Sequence, residues 1–247
     1  MKAFRTLLKT EGKLSLRGMD MFIFAICMPV VAVIIIGAIF GNKPAYDGAA
    51  YTFLEQSFGA LATIAICAGG VMGLPLVISD YRSRRILKRF KVTPTPPALI
   101  LAVQVVIYTI YSIASLILVY LSATLVFGYQ FHGSWLPFAG AYLLVMLSMF
   151  SIGLLVGGLA PNTKTAGAIA SLLYFPMLIF SGATLPYEIM PASLQNAADL
   201  LPLTQGIKML KAASLGLPLD SVIIPVVVMI VLTVLCISLS LRFFKWE

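Results

Sequence analysis

"SFGALATIAICAGGVMGLPLVISDYRSRRILKRFKVTPTPP", from Ser57 to Pro97, joins two segments of opposite chemistry. From Ser57 to Ser79 there is no Asp, Glu, Lys or Arg. Between Asp80 and Lys91 stand Arg82, Arg84, Arg85, Lys88, Arg89 and Lys91, with Asp80 as the acid among them. A helix of about 20 apolar residues crosses the roughly 30 Å hydrocarbon core of a bilayer, because its backbone N–H and C=O groups are paired within the segment. The basic run cannot follow into the lipid, so it marks where the chain leaves the membrane.

The rest of the chain repeats this pattern. Of 247 residues, 60% are hydrophobic and 11% charged, and the mean hydropathy is +1.01; soluble domains carry about 25% charged residues. The chain reads as an integral membrane protein. Six stretches free of Asp, Glu, Lys and Arg are long enough to span, near 21–40, 57–79, 98–127, 137–160, 166–185 and 221–241. A charged segment of about 20 residues precedes the first, and no small-residue cleavage site is obvious after it, so it is expected to stay as a span. The expected fold is an all-α integral membrane domain over residues 1–247, with six transmembrane helices.

Cytoplasmic loops carry the excess of Lys and Arg. Lys2, Arg5, Lys9, Lys13 and Arg17, the run from Arg82 to Lys91, Lys164, Arg242 and Lys245 all fall on one side of this topology. Lys43, Lys208 and Lys211 fall on the other. Both termini are therefore expected in the cytoplasm of a cell-membrane protein. Topology and attraction to anionic lipid account for the net charge of +8, and no nucleic-acid partner is needed.

Chemistry-bearing residues are sparse. Cys27, Cys67 and Cys236 lie inside spans, where free cysteine acts as a small apolar residue; neither a disulfide nor a metal site is expected. His132 stands alone in an outer loop and reads as solvated or interfacial. No nucleotide-binding, nucleophile-elbow or zinc-protease motif occurs. The spans also lack the ionisable residues that proton-coupled carriers place at membrane depth. Sodium coupling through broken helices stays open, although no inverted repeat is evident.

Two basic segments read as amphipathic helices at about 100° per residue. In residues 1–20, Arg5, Lys9, Lys13 and Arg17 recur opposite Met1, Phe4, Leu7, Leu8 and Leu14, as expected of a helix lying on the inner leaflet. Glu11 falls in the middle of the apolar face. It either reaches the headgroups or pairs locally, or it meets a cationic group on a partner or adjoining helix. In the second segment, Ile86, Leu87 and Phe90 share one arc with Ser83, and Pro94, Pro96 and Pro97 end the helix. The wheel alone does not separate a membrane-surface anchor from a docking element.

From Ser171 the chain reads "SLLYFPMLIFSGATLPYEIMPASLQNAADLLPLTQGIKMLKAASLGLPL". Pro186, Pro191 and Pro202 punctuate an apolar connection, much longer than an ordinary loop, that suggests short outer re-entrant helices over 186–217. The order of features resembles the membrane subunit of type-2 ATP-binding cassette (ABC) exporters. These features are the amphipathic N-terminal helix, the basic helix ending in "VTP" (Val92–Pro94), the "FSG…LP…MP…LPLT" progression from Phe180 to Thr204, and "GIKMLKAASLG" from Gly206 to Gly216.

The resemblance implies a transporter subunit that is not itself the ATPase. Two such subunits, identical or related, would pair around a pathway, each resting on a cytosolic nucleotide-binding protein that holds ATP and Mg. It implies a coupling helix over Asp80 to Lys91, with Ile86, Leu87 and Phe90 filling an ATPase groove and Asp80, Arg82, Arg84, Arg85, Lys88 and Arg89 around it. The helix carrying Arg5, Lys9, Glu11, Lys13 and Arg17 would be a second contact. It also points to spans two and five facing the partner subunit, with Gly69, Gly70, Gly73, Tyr174, Phe175 and Pro176 along the pathway; glycine packing and core aromatics are the competing reading. Many relatives carry a Glu-rich version of the coupling helix, so the excess of positive charge here implies an unusually acidic docking face on the ATPase. Nearly uncharged spans suit a hydrophobic or amphipathic cargo, such as a drug, peptide antibiotic or lipid-like molecule. An ion-coupled carrier or a non-transporting scaffold is the alternative.

Overall fold

In a computed structural model of the chain, residues 2–41, 43–46, 48–87, 96–182, 187, 190–218 and 222–244 are described. Helix α1, Lys2–Gly18, has Arg5, Lys9, Lys13 and Arg17 on the surface and Phe4, Leu7 and Leu8 against the core. Left-handed Met19, φ 58°, turns the chain sharply into the first span. That span, α2, runs continuously through Asp20–Phe22, Ile23–Cys27 and Met28–Phe40. The second, α3, runs through Phe53–Cys67, Ala68–Gly73 and Leu74–Ser83.

The middle segment of each span is a π-turn, and both have the same cause. Pro29 and Pro75 stand just beyond them, and proline has no N–H to donate while its ring collides with the carbonyl four residues back. The ladder widens by one residue instead, so Met28 N–H reaches Ile23 O and Leu74 N–H reaches Gly69 O.

The remaining spans are α4 (Pro97–Phe127), α5 (Trp135–Leu159), α6 (Thr163–Phe180) and α9 (Ile223–Phe243). Between α6 and α9 lie α7 (Ala192–Ala198) and α8 (Pro202–Leu215). Six helices long and apolar enough to cross a membrane are therefore present among the described residues. No β-strand occurs among the described residues, only an isolated bridge between Pro44 and Thr52.

Helix α3 is the hub, with 83% of its apolar window buried within the chain, against 28% for α6 and 17% for α9. It packs against α2, α4, α5, α6 and α8. Helix α8 is enclosed by α3, α5 and α9, with Leu203, Ile207, Met209 and Leu210 buried. Its close seat depends on Gly59, where a Cβ would stand 2.9 Å from Lys211 N, and on Gly206, where one would stand 2.8 Å from Val145. At that end Phe58, Tyr129, Phe131, Trp135 and Phe138 form one aromatic cluster, with Phe131 and Trp135 stacked at 4.1 Å and Phe58 and Tyr129 at 4.5 Å.

Candidate functional site

At the basic end of the bundle, α1 is fastened to the spans by one polar cluster. The Tyr81 hydroxyl donates to Glu11 Oε2, and Gln104 Nε2 donates both to Glu11 Oε2 and to the Tyr81 oxygen, each at 2.9 Å. This joins α1, α3 and α4, and Ser15 Oγ adds a 3.2 Å bond to Tyr111 of α4. A carboxylate withdrawn from water must keep hydrogen bonds, and Glu11 finds two neutral donors of this chain. Its place on the apolar face of α1 is thus what lets it reach α3 and α4. The cation considered from the sequence is not its partner among these bonds. A cavity of about 350 Å³ opens beside the cluster, lined also by Asp80, Tyr108 and Thr163.

The stretch expected as one helix from Asp80 to Lys91 is divided instead. Asp80, Tyr81, Arg82 and Ser83 form the last turn of α3, Arg84 and Arg85 make a corner, and helix resumes at Ile86 and Leu87. The corner is sharp because Arg85 is left-handed, φ 57°, a conformation that costs a non-glycine residue about 1–2 kcal/mol. Lys88, Arg89, Phe90 and Lys91 lie outside the described residues.

The basic residues of this stretch separate into two kinds. Arg82 is buried, donating from Nη1 to the carbonyls of Gly157 (3.0 Å) and Ala160 (2.7 Å) at the end of α5. A cation there satisfies carbonyls that the helix leaves over and complements its dipole. It does not belong to the surface rim where the sequence reading put it. Arg84 and Arg85 are exposed, and Arg84 Nε pairs with Asp80 at 2.9 Å.

The apolar residues separate likewise. Leu87 is fully buried with Tyr81 and Ile100, against Val77, Leu101 and Phe244. It is an internal anchor of the corner and is not free to enter a groove on another protein. Ile86 is half-buried and keeps part of its surface outward. The burial of Leu87 follows from the turn at Arg85, which no helical wheel contains.

The pathway candidates also find partners inside the chain. A Cβ on Gly69 or Gly73 would meet the Tyr108 ring at 3.2 and 2.8 Å, and one on Gly70 would meet Phe150 at 2.7 Å. Opposite Gly70, a Cβ on Gly153 would stand 1.9 Å from the Gly70 carbonyl oxygen. These glycines permit backbone contact between α3 and α5 and seat Tyr108 of α4. Tyr174 is buried, Pro176 half-buried and Phe175 exposed on α6. The structure therefore does not gather the six into one lining.

Sequence reasoning passed over Glu55 at the opposite end. Thr52 and Glu55 form a reciprocal capping box at the start of α3, with Thr52 N–H donating to Glu55 Oε2 at 2.7 Å. His132 Nε2 lies 3.2 Å from Glu55 Oε1, so the histidine has an acidic neighbour. The Thr52-x-x-Glu55 spacing is the signal that identifies this position. Burial and the Glu55 charge both push the Tyr129 phenol well above its ordinary pKa.

A profile of the ABC-2 type transporter family matches residues 2–215. Transport permease YvfS of Bacillus subtilis (strain 168) is 22% identical over 150 residues, covering 58% of this chain and 58% of that protein. Nodulation protein J of Neorhizobium galegae is 33% identical over 98 residues, which is 40% of this chain and 35% of that protein. Nodulation protein J of Rhizobium leguminosarum bv. viciae is 32% identical over 97 residues, 39% of this chain and 35% of its own length. The chain thus spans 58% of the first of these curated relatives and about a third of the other two. Since the family profile runs from α1 through five spans to the end of α8, the chain belongs to the ABC-2 type transporter family.

Proposed function

We propose that this chain is the membrane subunit of an ATP-driven exporter, moving a hydrophobic or amphipathic compound from the cytoplasm or inner leaflet by alternating access. A separate cytosolic ATPase holds ATP and Mg, a second membrane subunit completes the pathway, and the basic end with both termini faces the cytoplasm. Family membership and the lack of any Asp, Glu, Lys, Arg or His within the six apolar stretches support this reading over an ion-coupled carrier.

The observation that carries the mechanism is the fastening of α1, α3 and α4 beside an exposed basic corner. Force applied to the corner reaches α3 because Leu87 is locked against Tyr81, and reaches α1 because Tyr81 holds Glu11. Arg84, Arg85 and the outward part of Ile86 form the docking surface, with Lys88, Arg89 and Phe90 continuing it in sequence. ATP closes the cytosolic subunits, and the membrane subunit follows to the extent that the two states bind ATP differently.

The test is isolation of the chain from its native membrane, with an acidic-faced ATPase accompanying it. Replacing Arg84 and Arg85 by Glu reverses two exposed charges, and so is expected to weaken that association about tenfold, or about 1.4 kcal/mol, while the subunit itself stays folded. Transport by vesicles containing this chain alone, driven by an ion gradient, would overturn the exporter reading in favour of a secondary carrier.

A further inference from the structure

On the flank of the bundle, a cavity of about 440 Å³ is bounded by Leu8, Gly12 and Leu16 of α1, by Phe22 and Ile26 of α2, and by α4 from Ile107 to Leu118. Its described lining carries no charge, and the one polar side chain there, Tyr111, is engaged with Ser15 Oγ. Leu16 is 58% and Ile110 55% exposed, so the chain leaves this groove open. An adjoining hollow shares Leu8 and is lined also by Arg5, Thr6 and Lys9. Arg5 and Lys9 are exposed and form no ion pair among the described residues, while Glu11, the acid of the same helix, is held by Tyr81 and Gln104. Two uncompensated cations thus stand where the apolar groove opens.

We propose that this groove holds one acyl chain of an anionic phospholipid, with the lipid phosphate on Arg5 and Lys9. Arg5, Lys9, Gly12 and Leu16 follow one another at three- and four-residue steps and so share a face of α1, which sets the cations over the apolar wall. Ile107 and Leu118 are 11 residues apart, or about 16 Å at 1.5 Å per residue, close to half of the roughly 30 Å hydrocarbon core. The groove is one leaflet deep. A bilayer crossing of about 20 residues counted back from Phe127, the end of α4, reaches Ile107, so the groove begins where headgroups meet hydrocarbon on the basic side. The Arg5 fork takes two phosphate oxygens and Lys9 adds a point charge. Phosphatidylcholine brings its own cation beside the phosphate, so the pair favours a lipid without one. A protein covering the groove would have to bury both cations against acids of its own, whereas a lipid supplies anion and chain in one molecule. This differs from the general attraction of a basic helix to an anionic leaflet, since Lys13 and Arg17 are also exposed but line neither hollow. The site depends on the membrane fold and not on the source of transport energy.

The experiment uses the full chain, with any ATPase that accompanies it, in nanodiscs of phosphatidylcholine containing some phosphatidylglycerol; native mass spectrometry then counts the lipids that stay on the subunit when the disc is removed. Wild type is expected to keep one phosphatidylglycerol per membrane subunit in preference to phosphatidylcholine. Arg5→Gln/Lys9→Gln lowers that occupancy at least about tenfold, whereas Lys13→Gln/Arg17→Gln, the same loss of charge on the same helix, changes it by less than about threefold. Gly12→Leu adds a side chain where a Cβ meets nothing within 4 Å, and Ala114→Leu fills the groove from its α4 wall. Both abolish retention while the unfolding midpoint in pure phosphatidylcholine stays at or above that of wild type. Equal loss in the two charge variants would reduce the effect to surface attraction, and equal retention of phosphatidylcholine would remove the headgroup contact. Undiminished retention in both filled variants would leave the groove without its acyl chain. Release of the ATPase from Arg5→Gln/Lys9→Gln with the lipid still bound would assign the two cations to the ATPase contact. Each of these four results overturns the proposal.

Discussion

Arg82 illustrates how one residue can belong to a basic run and do different work from the rest. Its guanidinium holds two carbonyls at the end of α5, and hydrogen bonds involving a charged group contribute about 1.5–3 kcal/mol each. Arg82→Met is therefore expected to destabilise the subunit by about 2–4 kcal/mol in thermal denaturation, whereas Arg85→Met, on the surface, should change stability by less than about 0.5 kcal/mol. Equal effects would remove the distinction between internal and docking arginines. Glu11 makes a second residue-scale prediction. Glu11→Leu leaves the Tyr81 hydroxyl and Gln104 amide without their acceptor, so α1 should loosen, seen as at least tenfold faster amide exchange over residues 2–18. Glu11→Gln keeps an accepting oxygen and should retain most of the protection.

At the scale of elements, α3 depends on glycine at its contact with α5. Gly153→Ala sets a methyl group 1.9 Å from the Gly70 carbonyl, where neither backbone can turn aside. The helices must separate, at a cost of about 1–3 kcal/mol or more, measurable as a lowered unfolding midpoint. The corner at Arg85 makes the opposite prediction. Arg85→Gly relieves left-handed strain and should stabilise the resting subunit by about 1 kcal/mol, yet it softens the joint and should lower transport per ATP hydrolysed. Unchanged coupling in that variant would show that the corner does not transmit force. The legible part of these elements was their apolar length and proline punctuation. The division of Asp80 to Lys91 was not legible, because a left-handed arginine has no signature in periodicity, and Leu87 looked like an outward plug for that reason.

Across the whole molecule, the expectation that spans two and five both face a second subunit meets an asymmetry. Helix α3 is largely enclosed by its own chain, while α6 leaves Leu172 (75%) and Phe175 (52%) exposed. Helix α6 is thus the better placed of the two to meet a partner copy. With Cys27, Cys67 and Cys236 replaced by Ala, Phe175→Cys should form a crosslinked dimer in membranes, while Val234→Cys on α9 should not. A crosslink through Val234 and none through Phe175 would relocate the interface.

By itself the sequence determined the membrane class, the six spans, the basic and less basic ends, and the family resemblance. These rest on composition and order along the chain, since burying a charged side chain or an unpaired backbone in lipid costs too much for alternatives to compete. Tertiary structure alone decided which polar residues meet. Glu11 pairs with residues 70 and 93 positions away, and Arg82 with carbonyls 75 and 78 positions away. Gln56, Ser181 and Thr204 converge from three separate helix ends on one cavity. Such encounters depend on how helices pack, and packing is set by the shapes of many side chains together, so no single stretch of the sequence announces them.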